Sequence, residues 1–432
     1  MKKSIFIITS ICITILSITA LSLFFYQKEL PPIKVGILHS MTGSMAISEI
    51  PVMQATLLAI EKINAHGGLL GRQVEAIVVD GKSDEITFER EAKRLIIEEK
   101  VSVIFGCWTS ASRKTVLPIF EKYNHLLFYP VQYEGLEQSP NIIYMGAAPN
   151  QQIIPAVNWA IQRFGPRIYL MGSDYVFPHV ANWLIKKQAN ALHASVVGEQ
   201  YIPFNHYDVK KIIQEIKRLQ PDFIMNTING DANIAFFHAL REEGLSAKDA
   251  PVISFSLGEA ELAHMHDDQD ITGHYAAWNY FQSIDSQENR DFIRAYQKKF
   301  GAQPLSDPME AAWASVHLWA KAVKSAQTDN TESIRQSIVH QSILAPEGVL
   351  SIDKKTQHAW KKVRIGIIRA NRQFETIWSS KNPIRPAPYP LIISKPEADM
   401  FLSQLYENWD QHWTQPVIKK KNNHFPMQKS QL

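Results

Sequence analysis

Val101-Ser102-Val103-Ile104-Phe105-Gly106-Cys107-Trp108-Thr109-Ser110-Ala111-Ser112 passes from a β-branched apolar run, through a hydroxyl-rich turn, into an amphipathic segment that reaches Tyr123. A short apolar run followed by a polar turn and a 3.6-residue period reads as one βα unit. Upstream, residues 33–38 read as a strand, 47–66 as a helix closed by Gly67-Gly68, 74–79 as a strand and 87–99 as a helix. Downstream the pattern restarts near Asn150. It gives a helix to Phe164, a strand at 167–171, a helix to Leu192, a strand at 195–201, a helix at 209–219, a strand at 222–226, a helix at 233–243 and a strand at 252–255. Beyond Gly273 come helices at 289–300 and 308–325 and strands at 363–369 and 375–378. Repeated βα units build parallel sheets with helices on both faces. Two consecutive sets predict an α/β protein of two Rossmann-like lobes.

Composition excludes several classes. Of 432 residues, 45% are hydrophobic, 20% charged and 10% aromatic, the balance of packed globular domains rather than a disordered tail or multi-pass channel. Lys and Arg number 45 against 42 Asp and Glu, a formal charge of +3, with no arginine run, so nucleic acid is excluded as the expected partner. The small excess of positive charge belongs to the ends: Lys2, Lys3 and Lys28 at one, Lys419, Lys420, Lys421 and Lys429 at the other.

Met1-Lys2-Lys3 precedes an uncharged apolar run over 5–25, the layout of an export signal and also long enough for a span. Residues 1–30 are therefore expected to be a cleaved signal or an uncleaved membrane anchor, placing the protein in the periplasm in either case. A lipid-attachment site is disfavoured because bulky Ile11 precedes Cys12. Cys107 is then the one cysteine left in the body, which rules out an intrachain disulfide or a Cys-x-x-Cys redox pair there. A Pro-rich stretch over 383–390 ends the compact part, and 391–432 reads as a poorly ordered tail.

Catalytic signatures are missing. Gly67-Gly68-Leu69-Leu70-Gly71-Arg72 follows a helix and precedes a strand, the reverse of a dinucleotide loop, so it reads as a helix C-cap and turn. No Gly-x-Ser-x-Gly elbow occurs. His264-Met265-His266-Asp267-Asp268 has metal-capable side chains, but histidines two apart share no helix face, so it reads as a solvated loop. Neither cofactor nor metal is expected, and the reading is of a non-enzyme. The dense loops lie at the C-terminal ends of predicted strands, where open α/β sheets place ligands. They are 106–112, Tyr129-Pro130-Val131-Gln132-Tyr133-Glu134-Gly135, Gly172-Ser173-Asp174-Tyr175-Val176-Phe177-Pro178 and Asn226-Thr227-Ile228-Asn229-Gly230-Asp231. Four such loops on two lobes predict a cleft.

Those loops also carry a resemblance. With Val35-Gly36-Ile37-Leu38-His39-Ser40, Ser139-Pro140-Asn141, Gly146-Ala147-Ala148-Pro149-Asn150-Gln151-Gln152, Ala277-Trp278-Asn279-Tyr280-Phe281-Gln282-Ser283-Ile284-Asp285 and Asp307-Pro308-Met309-Glu310-Ala311-Ala312, the chain resembles type I periplasmic solute-binding proteins over about 33–390. Within them it is most similar to the substrate-binding component of urea ABC transporters, with the amide-sensing regulator of the aliphatic amidase operon as a sister group. Gly81-Lys82-Ser83-Asp84 departs from the urea branch in being less apolar. The resemblance implies a type I periplasmic binding protein fold with a three-crossing hinge. It places lobe one at about 33–152 plus 279–353 and lobe two at about 153–278 plus 354–390. It further implies capture of urea or a short aliphatic amide between the lobes and delivery to ABC transporter permease subunits.

A small neutral amide offers one carbonyl acceptor and several N–H donors, and each buried unpaired polar group costs about 1–3 kcal/mol. Ser110 and neighbouring N–H groups are expected to receive the carbonyl, as the resemblance also implies. Backbone carbonyls near Tyr129 and Val131, with Gln132 or Glu134, are expected to accept from the nitrogens, while Trp108 and Tyr175 sandwich the planar face. Asp231 and Glu259 are the candidates from lobe two. A ligand-sensing regulator on the same fold and an amidase-type enzyme are the alternatives. The enzyme lacks a Cys-Glu-Lys or Ser-centred constellation at the strand ends.

Overall fold

The computed structural model describes residues 30–265 and 271–416. The leader 1–29, His266-Asp267-Asp268 of the His-rich loop and the lysines from 419 onward lie outside the described residues. The chain opens with β1 (Ile33–His39), α1 (Ala46–Ala65), β2 (Val74–Asp80), α2 (Glu85–Ile97), β3 (Ile104–Gly106), α3 (Ser110–Lys122), β4 (Leu127–Tyr129) and β5 (Ile142–Tyr144). The strands make one all-parallel sheet ordered β2-β1-β3-β4-β5, with Ile33 opposite Val74 and Gly36 opposite Ile104. β3 starts later than its sequence suggests, although Ser102 N–H already donates to Lys34 O and Gly36 N–H to Val103 O, both at 2.8 Å.

A short 3-10 turn, Pro149–Gln151, leads into the second set. It comprises α4 (Ile153–Phe164), β6 (Arg167–Ser173), α5 (Val176–Ala191), β7 (Ser195–Ile202), α6 (Lys210–Leu219), β8 (Phe223–Thr227), α7 (Ala232–Glu242), β9 (Val252–Ser254), α8 (Glu259–Leu262) and β10 (Tyr275–Trp278). The chain then returns to the first sheet with α9 (Gln287–Phe300), α10 (Asp307–Ala326), α11 (Thr331–Ile338) and the hairpin β11 (Ser342–Ala345) and β12 (Gly348–Ser351). It ends on the second sheet with β13 (Arg364–Ile368), β14 (Phe374–Ser379) and α12 (Lys395–Asn408). The second sheet runs β14-β13-β10-β9-β8-β6-β7, antiparallel only at β10/β13 and β13/β14.

Each sheet has its own core. Ile37, Phe105, Phe128 and Trp319 are buried in the first, where Phe105 meets Trp319 edge-on at 5.8 Å between ring centroids. Ile168, Val180, Phe223 and Ile365 are buried in one core of the second. Burying each such side chain contributes roughly 1.5–3 kcal/mol, so each sheet is held by a core of its own. The chain crosses between lobes three times, before α4, after β10 and before β13. Asn279 ties the crossings together: its Nδ2 donates to Gln151 O at 3.1 Å and to Lys362 O at 2.7 Å, and Arg364 donates to its carbonyl.

The segment after Ile393 differs from its sequence expectation. It is helical over Lys395–Asn408, opened by Ser394, whose side chain accepts from Glu397 N–H, and by Pro396 in the first turn. It is ordered because its apolar face has a surface to cover: Ala398 and Leu402 are buried in a core of the second sheet.

Candidate functional site

The turn after β3 is built by steric necessity. A Cβ on Gly106 would lie 2.2 Å from Leu38 O, so only glycine lets β3 approach β1 there. Cys107 follows at φ +65°, in the left-handed region that a non-glycine residue enters at a cost of order 1 kcal/mol. Its N–H donates to Leu38 O at 2.9 Å, which fixes the turn and directs Trp108 toward the second lobe. Thr109, not Ser110, caps α3: its Oγ1 accepts from Ser112 N–H at 3.0 Å. The Ser110 hydroxyl is thereby released from capping and donates to Glu134 Oε2.

Around Ser110 lies a buried ionic cluster. Arg113 donates from Nε to Glu137 Oε1 at 2.8 Å, from Nη2 to Glu134 Oε1 at 3.1 Å and from Nη1 to Ser110 Oγ at 3.0 Å. Lys114 Nζ donates to Glu137 Oε2 at 3.0 Å, and Tyr144 Oη to Glu137 Oε1 at 2.9 Å. The guanidinium carbon lies 4.9 Å from the Tyr129 ring and 4.6 Å from the Tyr133 ring. Burial opposes the charge on Glu137, but Arg113 and Lys114 outweigh it and hold the carboxyl at about 2. Two cations face two carboxylates, so the cluster is electrically balanced.

Across the cleft, Trp108 Nε1–H donates to Asn229 Oδ1 at 3.2 Å. Asn229 is held by its N–H to Ser173 Oγ at 3.0 Å and its Nδ2 to Thr227 O at 3.1 Å. Gln132 Nε2 donates to Phe255 O at 2.7 Å, while its Oε1 is buried without a hydrogen-bond partner. Gln152 Nε2 reaches Phe255 O and Ala277 O at 3.2 and 2.6 Å. Gly230, at φ +71°, brings lobe two so close that a Cβ would sit 2.7 Å from Ser44 O. The lobes are closed on one another. Tyr175 lies between them next to Asn229, its phenol pushed up by burial, with Phe204 5.2 Å away. At the mouth a cavity of about 360 Å³ is lined by Met45, Ser83 and Ser112 from lobe one and Phe204 from lobe two.

Residues 33–395 match the family described as "Periplasmic binding protein domain". The chain belongs to the periplasmic binding protein family. Curated relatives of this binding protein include Leu/Ile/Val-binding protein homolog 8 of Brucella abortus, 24% identical over 317 residues, which are 66% of this chain and 75% of that one. A 117-residue segment is 29% identical to limonene hydroxylase of Geobacillus stearothermophilus, covering 27% of this chain and about a fifth (21%) of that protein. The solute-binding protein of an ABC transporter from R. palustris, in complex with 4-hydroxybenzoate, superposes with a TM-score of 0.73 at 24% identity, over 82% of this chain and 98% of that one. That likeness establishes the two-lobed fold.

In this periplasmic binding protein, Trp108, Ser110, Tyr129, Gln132, Glu134 and Tyr175 converge where the lobes meet. Val131 is packed against Gly146, where a Cβ would sit 2.0 Å from Val131 O. Several expected donors and acceptors already have protein partners. Tyr129 Oη donates to Trp108 O at 2.6 Å and its carbonyl accepts from Met145 N–H at 2.8 Å. Asp231 is not at the centre; its Oδ2 accepts from Tyr207 Oη at 2.9 Å on an exposed edge of lobe two. Glu259 faces the second crossing, where Oε1 accepts from Gln282 N–H at 2.7 Å and Oε2 is buried without a partner; burial pushes its carboxyl up to about 8.

Asn229, Arg113 and Glu137 belong to the cluster without having been singled out. The signal for the last two was available: Arg113-Lys114 in the first turn of a helix opposes the dipole and demands nearby carboxylates. Among the described residues no group of three or more His, Cys, Asp or Glu is arranged to hold a metal ion. His264 Nδ1 pairs with Ala260 O at 3.0 Å. Cys107 is fully buried and its thiol is pushed up by burial, which makes it a packing residue rather than a nucleophile.

Proposed function

We propose that this protein is the extracytoplasmic substrate-binding component of an ABC transporter, capturing a small neutral amide such as urea between its lobes and delivering it to a permease. The observation that carries the reading is Gln132 Oε1, a buried acceptor at the lobe junction with no donor, beside an ionic cluster whose charges are already balanced. A ligand rich in N–H groups supplies what is missing there. An anion brings further acceptors and a charge that neither Arg113 nor Lys114 is free to neutralise. Trp108 and Tyr175 give flat apolar faces for a planar ligand. The resemblance to the urea branch supports the same choice. Family membership and the basic-then-apolar order of residues 1–30 support an extracytoplasmic location, with that segment serving as leader or anchor.

An amino acid is the second reading, supported by the relatives named Leu/Ile/Val-binding protein homologs. Its ammonium could meet Gln132, but its carboxylate would add a negative charge where Arg113 and Lys114 are already paired with Glu134 and Glu137. Calorimetry with urea, acetamide, formamide, leucine and 4-hydroxybenzoate decides. Heat of binding with urea or acetamide, and none with leucine or 4-hydroxybenzoate, is expected; the reverse pattern overturns the amide reading and leaves the family untouched.

A further inference from the structure

The chain continues past residue 395, where the match to the family ends. α12 is docked on lobe two: Phe401 stacks on Trp183 at 4.6 Å between centroids, and Glu397 pairs with Lys187 at 2.6 Å. Residues 409–416 then turn across the mouth of the cleft. On the side of lobe two, Val176 N–H donates to Trp413 O at 2.9 Å and Gln415 N–H to Asp174 O at 3.2 Å, with Thr414 bridged to Tyr175. These contacts satisfy the N-terminal N–H of Val176 in α5, which has no partner within the helix, and pair the segment with the loop that carries Tyr175. On the side of lobe one, Trp413 N–H donates to Glu85 Oε2 at 3.4 Å, and Lys114 Nζ lies 4.9 Å from the centre of the Trp413 ring. Lys114 is itself fixed by Glu137, so the ring meets a preset cation. His412, Thr414, Gln415 and Pro416 wall the mouth cavity.

A segment seated on one lobe and touching the other makes its second set of contacts only while the cleft is shut. We propose that residues 409–416 are a latch, anchored permanently on lobe two, that engages Glu85 and Lys114 of lobe one on closure and thereby favours the closed form. Contacts present in one of two states shift the equilibrium by their own free energy and by nothing else. The latch therefore acts whichever solute the cleft accepts, and it adds to lobe closure a term that the shared family residues do not contain.

The test uses the ligand-free full-length protein, with small-angle X-ray scattering and amide hydrogen exchange read side by side. Trp413→Ala is expected to raise the radius of gyration and to speed exchange across residues 109–115 by about two- to fivefold, the equilibrium factor carried by one cation–π contact. Trp413→Phe keeps a ring over Lys114 and is expected to restore both readings. A chain ending at residue 410 keeps α12 and is expected to match Trp413→Ala. Should that truncated chain fail to fold by circular dichroism, the two point variants decide alone. Identical scattering and exchange in Trp413→Ala and the parent overturn the latch, as does an effect confined to α12 and lobe two.

Discussion

Trp108 of lobe one and Asn229 of lobe two share a hydrogen bond, indole N–H to side-chain carbonyl at 3.2 Å, in the buried junction between the lobes. Closure therefore aligns two side chains 121 residues apart in sequence. Asn229→Ala strands the indole N–H in the closed form, a cost of about 1–3 kcal/mol. Urea affinity measured by calorimetry is expected to fall by about an order of magnitude, with little change in melting temperature because each lobe keeps its own core.

Arg113 is the opposite case, since its partners Glu134 and Glu137 are on its own lobe. Arg113→Met leaves two buried carboxylates facing Lys114 alone, and breaking a buried pair costs about 3–5 kcal/mol. Guanidinium chloride unfolding, chosen because urea is a proposed ligand, is expected to show that loss. Glu137 fixes its pH dependence. Its folded carboxyl titrates near 2, below the unfolded value, so its stabilisation is complete above the unfolded value and lost as pH falls toward 2.

Glu259 and Asp307 run the other way. Burial raises them to about 8 and about 6, above their unfolded values, so the folded state binds more protons across that interval and stability declines as pH rises through it. Asp307 Oδ2 accepts from Asn279 and Tyr280 N–H at 2.9 and 2.7 Å, which offsets part of the cost of its charge. Buried His274, His317 and His358, lowered to about 3, about 4 and about 3, oppose this below the ordinary histidine value of about 6.5. Thermal unfolding between pH 6.5 and 8.5 is therefore expected to show a falling melting temperature, and Glu259→Gln to flatten that slope.

Gly146 supports the peptide that aims Gln132. A Cβ there would stand 2.0 Å from Val131 C and O and 2.3 Å from Gln132 N, all backbone atoms that cannot step aside. Gly146→Ala is expected to destabilise by about 1–3 kcal/mol and to weaken urea binding, both visible in a thermal-shift titration. An unchanged titration would mean that the 131–132 peptide does not position the site.

The alternation of apolar runs with amphipathic ones made the two sheets legible, because long strands such as β1 and β6 and helices such as α1 and α10 each span several periods. β5, β10 and the β11–β12 hairpin were not: each is three or four residues long, too short to display a period, and none was read beside a helix-length amphipathic run as the equally short β3 and β9 were. The α12 segment carried readable signals in Ser394 and Pro396, but its order depends on the surface that receives Ala398 and Leu402, which no local pattern contains. The loops of the candidate site stood out by composition and strand-end position. Bond assignment did not: Ser110 finds Glu134 24 residues away, and the side chain of the 226–231 loop that bonds to Trp108 of lobe one is Asn229, while Asp231 two positions later turns to Tyr207.

Asn279 gives the fold its mechanical character. Because one side-chain amide grips Gln151 and Lys362 from the neighbouring crossings, the three strands of the hinge are riveted at a common point. Two bodies pinned in this way can swing but cannot slide past one another. Closure is then a rotation about that point, and a side chain at the far rim can meet only counterparts at the same distance from it.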